Sequence, residues 1–273
     1  MQLRRHAACS CLALLLVAAA GPARQAPPSI DAAGNRMTPF PLAAPAASTG
    51  GSADPAALRC SADRRWCARL RGDESGTWRL ELSEDRGPAR RLDVAGEHDE
   101  DSEFAIWPWL VREAGGAVLV GVELTRRTGY SGGGASATRL VLVRAEPGTA
   151  PLRAVLDVPL QAQKDIRACF GARDMRRRRG ACSDQYEFAG TLSLDPATRT
   201  GRPAFLLAAR ARTYPGRRSL DSDSTTAPPL RAADLRWTVD PGCTYRRRLA
   251  FDPGAGRYLP DRPLPACTDY LDF

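Results

Sequence analysis

From Leu58 onward, apolar and polar residues alternate in short runs. The segment 77–82 sets Trp78, Leu80 and Leu82 against Thr77, Arg79 and Glu81, and a period of two recurs at 138–145, 152–158, 186–194, 235–239 and 244–251. Such a period places successive side chains on opposite faces of an extended chain, so each run predicts a strand with one buried face. Two further runs, 104–111 and 117–124, are more continuously apolar. Glycine, proline, aspartate and serine separate the runs, as expected for antiparallel strands joined by turns. The best helical candidate, 205–212, fits a strand equally well. These elements predict an all-β domain of antiparallel sheets, either a sandwich or a propeller-like arrangement of hairpins.

The first 57 residues follow another pattern. Arg4 and Arg5 precede an apolar run from Leu12 to Val17, and the small residues Ala18, Ala19 and Ala20 follow it. This is the order of a secretory signal, with cleavage expected near Ala20. Cys9 and Cys11 lie too early in it for a lipid anchor. Residues 21–57 are rich in Pro, Ala, Gly and Ser without periodicity, which predicts a disordered tether, because little apolar surface is available to offset ordering entropy. The remaining 273 − 57 = 216 residues, 58–273, suffice for a single β-rich domain. No later run is long and apolar enough for a membrane span. The expectation is a soluble exported protein, periplasmic or extracellular.

Export changes the meaning of the cysteines. Six follow the signal segment: Cys60, Cys67, Cys169, Cys182, Cys243 and Cys267. An even number in an oxidising compartment predicts disulfides, with fifteen formal connectivities. Sequence proximity favours 60–67, 169–182 and 243–267. No C-x-x-C pair supports redox chemistry, and His98 alone among histidines follows the signal segment, so neither zinc nor another cofactor is expected. The formal charge of +8 becomes 37 − 31 = +6 once Arg4 and Arg5 are removed, and Lys164 is the chain's one lysine. That charge points weakly to a polyanionic partner; export argues against nucleic acid.

Two segments carry candidate chemistry. Gly129-Tyr130-Ser131-Gly132-Gly133 matches the letter of a G-x-S-x-G nucleophile elbow and raises the alternative of a secreted serine hydrolase using Ser131. The elbow needs a helix after the serine and a base histidine. Here glycines and a strand-like run follow, no histidine lies downstream, and His98 sits only 131 − 98 = 33 residues upstream. A glycine-rich hairpin tip is the expectation, with no catalytic residue assigned. In Cys169–Cys182, by contrast, Arg173, Arg176, Arg177, Arg178 and Arg179 are opposed only by Asp174. A disulfide-held loop with five guanidiniums suits bidentate contact with phosphate or carboxylate, such as an anionic component of a cell envelope.

Weaker features complete the reading. Glu97, Asp99, Glu100, Asp101 and Glu103 surround His98 and predict a solvated acidic loop; 215–234 predicts a flexible one. Arg246, Arg247 and Arg248 are a possible extension of the cationic surface. Trp107 and Trp109 flank Pro108, which predicts an edge strand or a bulge and a second contact surface, for another envelope protein. The function expected is noncatalytic: binding or organising an envelope component.

Overall fold

The computed structural model describes residues 29–43, 58–73, 76–94 and 101–272. The expected signal segment and the acidic residues Glu97 to Glu100 lie outside them. Among these residues, fourteen strands form two antiparallel sheets, so the fold is all-β as the alternation predicts. The smaller sheet comprises β3 (Arg59–Cys60), β4 (Trp66–Gly72), β5 (Trp78–Glu84) and β6 (Arg90–Asp93) in sequential order. The larger runs β1 (Ser29–Ile30), β2 (Arg36–Pro39), β7 (Ser102–Arg112), β8 (Val118–Tyr130), β9 (Gly133–Ala145), β10 (Arg153–Arg167), β11 (Ser183–Leu194), β12 (Phe205–Tyr214), β13 (Thr238–Asp252) and β14 (Arg257–Pro260). Two short helices, α1 (Ala172–Arg177) and α2 (Thr268–Leu271), lie outside the sheets. Among the described residues, no helix is long and apolar enough to cross a membrane.

The alternating positions sort into two cores. Trp66, Leu70, Leu80 and Leu82 of the small sheet pack on Phe104, Leu110, Val118, Val120 and Val122 of the large one. This is sheet-on-sheet packing, the sandwich alternative. The opposite face of the large sheet builds a second core, in which Met37, Trp107, Trp109 and Leu119 join Leu192, Phe205, Leu207 and Tyr245. One face can reach both sets because the sheet curls. Asn35 donates to the Gly201 carbonyl at 3.3 Å, and Ala32 to that of Pro196 at 3.2 Å, which ties the β1–β2 end to the β11–β12 turn. Strand β10 carries bulges at Ala154/Leu156 and Pro159/Gln161; bulges bend a strand and increase its twist.

The first correction concerns the tether. Residues 29–43, expected to be disordered, supply β1 and β2, and Met37 and Phe40 have no solvent exposure. Burying a side chain of that size is worth roughly 2–3 kcal/mol, which a scan for average composition misses. Because β2 pairs with β7 in the register Thr38↔Leu110 and Pro39↔Trp109, the tryptophan strand is interior, not an edge. The bulge half of the Pro108 expectation holds. Between Ile106 and Leu110 the β7–β8 register slips, with two extra residues on β7 facing Gly121. A Cβ on Gly121 would lie 2.6 Å from Trp107 Cβ, so only glycine admits the Trp-Pro-Trp bulge. Trp107 and Trp109 are 6% and 5% exposed, core residues with no free edge.

Other expectations resolve simply. The three disulfides are 60–67, 169–182 and 243–267. Residues 205–212 are strand, within β12. The run 235–239 is mostly not strand: β13 begins at Thr238, and Trp237 stays exposed with Arg212 stacked 4.4 Å above its ring.

Candidate binding surfaces

Ser131 and Gly132 form the tight turn between β8 and β9, so the residues of the elbow-like motif link strand to strand, with no helix to receive an oxyanion. Gly133 follows at φ +150°, where a Cβ would fall 1.8 Å from the Asp165 carbonyl oxygen of β10. The glycines therefore serve a close backbone approach. Both histidines of the chain, His6 and His98, lie outside the described residues.

The hairpin tip abuts the disulfide loop. Arg167 N–H donates to the Gly132 carbonyl at 2.5 Å, and the Arg167 guanidinium covers the Phe170 ring at 5.1 Å. From there the chain turns into α1. The five arginines divide by environment. Arg178 is buried at 4% exposure; its guanidinium bonds the Asp184 carboxylate and donates through Nε to the Ala181 carbonyl at 2.7 Å. Arg218, from the long loop, stands 3.9 Å from the same carboxylate. Arg177 donates to the Ala227 carbonyl at 2.5 Å, while Leu230 N–H donates back to the Arg177 carbonyl at 2.9 Å. Two of the five predicted binding residues, Arg177 and Arg178, are thus structural. They hold the 215–234 loop against α1, and that loop, expected to be flexible, docks through buried Leu230.

Arg173, Arg176 and Arg179 remain exposed, and their side chains make no hydrogen bond or ion pair among the described residues. Two large apolar side chains stand exposed beside them, Phe170 at 62% and Met175 at 55%, with the Asp174 carboxylate between, bonded to the Phe170 N–H at 3.0 Å. Tyr130 joins them from the hairpin through a 3.4 Å hydrogen bond from its hydroxyl to the Asp165 carbonyl. Arg246, Arg247 and Arg248 do not extend the patch. Arg247 pairs with Leu207 and Leu207 with Leu192, eight positions along β11 from Asp184; that is about 26 Å of strand. Arg248 is bound to Asp195 at 2.6 Å.

A second concavity, of about 590 Å³, lies on the large sheet where β7 to β11 adjoin. The sequence does not reveal it, because its residues are spread over six strands, β7 to β11 and β3, which supplies Arg59. One signal was present: the face of β8 carrying Leu119 and Gly121 turns polar at Glu123, Thr125 and Arg127. Burial pushes the Glu123 carboxyl above its ordinary range, and Arg59 opposes that shift. The Thr125 and Thr138 hydroxyls bond each other at 2.7 Å. Of the acidic string, Asp101 and Glu103 are described, and Glu103 pairs with Arg127 at 2.6 Å. Among the described residues, no group of three His, Cys, Asp or Glu side chains is placed to hold a metal ion. No protein-family model, curated protein or solved structure matches the chain.

Proposed function

We propose that this is an exported, noncatalytic protein that docks on an anionic lipid surface through the disulfide-held end of the large sheet. The carrying observation is the juxtaposition of Arg173, Arg176 and Arg179 with exposed Phe170 and Met175. Guanidiniums bind lipid phosphates bidentately, and neighbouring apolar side chains enter the acyl boundary; a soluble acidic polysaccharide would use only the charges. Three disulfides and the signal-like N-terminus support an oxidising, extracytoplasmic setting.

The test is co-sedimentation with vesicles of phosphatidylcholine, with and without equimolar phosphatidylglycerol, at about 50 and about 300 mM salt, which brackets strong and weak screening. Binding confined to anionic vesicles and weakened by salt is expected. Each arginine near such a surface contributes about 1 kcal/mol, so neutralising Arg173, Arg176 and Arg179 to glutamine lowers partitioning roughly a hundredfold. Equal binding to neutral vesicles, or a triple variant that binds unchanged, overturns the reading.

A further inference from the structure

The groove over β7–β11 has a different chemistry from the cationic end. Its four charged residues, Arg59, Arg127, Glu103 and Glu123, sum to +2 − 2 = 0, in a chain whose formal charge is +8. The rest of the lining mixes polar uncharged groups, among them the amides of Gln161 and Gln163 and the hydroxyls of Ser136 and Thr191, with apolar ones that include Trp107 and Trp109. Gln161, Gln163 and Ser136 make no side-chain hydrogen bond among the described residues, and both glutamines are exposed. Glu123 is half-buried, and its side chain makes no hydrogen bond among the described residues.

Bulges interrupt the walls. One side is the Trp107–Trp109 bulge of β7 and the other the Pro159/Gln161 bulge of β10, both in interior strands whose neighbours fix them. Bulges re-aim side chains and recur beside binding sites. Polar side chains on ordered strands, collected near two bulges and in part unpaired, offer donors and acceptors whose backbone positions are fixed before any ligand arrives, which lowers the backbone share of the entropic cost of association. Four strand spacings separate β7 from β11, a contour of about 19 Å along the sheet, long enough for an extended chain ligand.

We infer that this groove is a second binding site and that its ligand is a neutral, hydroxyl-rich chain, an oligosaccharide. Zero local charge disfavours phosphates and polyamines alike. Amides and hydroxyls match the mixed donor and acceptor pattern of sugar hydroxyls, and the Glu123 carboxylate accepts from a pair of them.

Calorimetric titration of the full exported chain with maltohexaose, cellohexaose and chitohexaose, with spermidine as the cationic comparison, tests this. Saturable binding of at least one hexasaccharide with Kd below about 1 mM is expected. The double variant Gln161→Ala/Gln163→Ala weakens it at least tenfold while keeping the wild-type melting temperature, because both amides are exposed. Glu123→Gln, which retains an acceptor, weakens it less. Failure of all three sugars to saturate folded protein overturns the inference, as does unchanged affinity in the double variant. Saturable spermidine binding without sugar binding overturns it in favour of a cation at Glu123. Because the vesicle assay reads other residues, either outcome leaves the lipid-docking test independent.

Discussion

The outer face of the small sheet and the Cys169–Cys182 loop are both dense in arginine, yet they use it in opposite ways. On the sheet, Glu81 is 6% exposed and receives Arg69 at 2.6 Å, Arg91 at 3.0 Å and Arg71 at 3.4 Å. Arg69 and Arg91 sit directly across from it on β4 and β6, so strand register brings the pairs together. Arg65 and Arg79 likewise meet Glu84 and Asp93. In the loop one arginine, Arg178, is buried against a carboxylate, and Arg173, Arg176 and Arg179 meet none. Arginine abundance is thus no guide to a binding surface; the local shortage of carboxylates is.

That contrast breaks most sharply at Arg178. Arg178→Ala leaves Asp184 buried with only Arg218, at 3.9 Å, to oppose its charge, and we expect a loss of about 3–5 kcal/mol in urea unfolding, the cost of stranding a buried charge. A loss under 1 kcal/mol would make the interior pair no more important than the surface ones. Next in size, replacing Cys169 and Cys182 with serine releases a loop whose closure is worth roughly 3 kcal/mol in the chain-entropy model; denaturant midpoints under oxidising conditions give the difference.

Smaller effects belong to the sheet. Burial raises the Glu81 pKa, but the bonds from Arg69 and Arg91 outweigh it and hold the carboxyl below its ordinary range. A depressed folded-state pKa contributes stability above the unfolded value, near 4.3, that is lost as pH falls through the folded one. We expect Glu81→Gln to cost about 1–2 kcal/mol at neutral pH, since its partners are largely exposed, and the gap to wild type to close in acid. A gap that widened on acidification would reverse the sign argued here. Last, glutamine at Arg173, Arg176 and Arg179 should shift stability by less than about 0.5 kcal/mol, which thermal melts can resolve.

Strand positions were legible because alternation is local: 77–82, 138–145 and 186–194 each declare a buried face within a few residues. Strand β2 was not, since its four residues become a strand only through β7, some seventy positions away. Trp237 was misread for the converse reason: its alternation is real, but no neighbouring strand closes over it. At the cationic end, sequence located the loop but could not separate Arg178 from the residues on either side, because the distinction lies in Asp184 and Arg218, which only the fold brings near. The groove was invisible altogether, being assembled from a few polar positions on each of six strands.

The pairing of each bonded cysteine with the next one along the chain, at separations of 7, 13 and 24 residues, bears on how the protein is made. A chain entering an oxidising compartment N-terminus first presents Cys67 when Cys60 is its sole free partner among the six, then Cys182 when only Cys169 waits, then Cys267 for Cys243. For a chain exported in that way, oxidation in order of arrival would by itself yield the native set, with no wrong bridge to reshuffle.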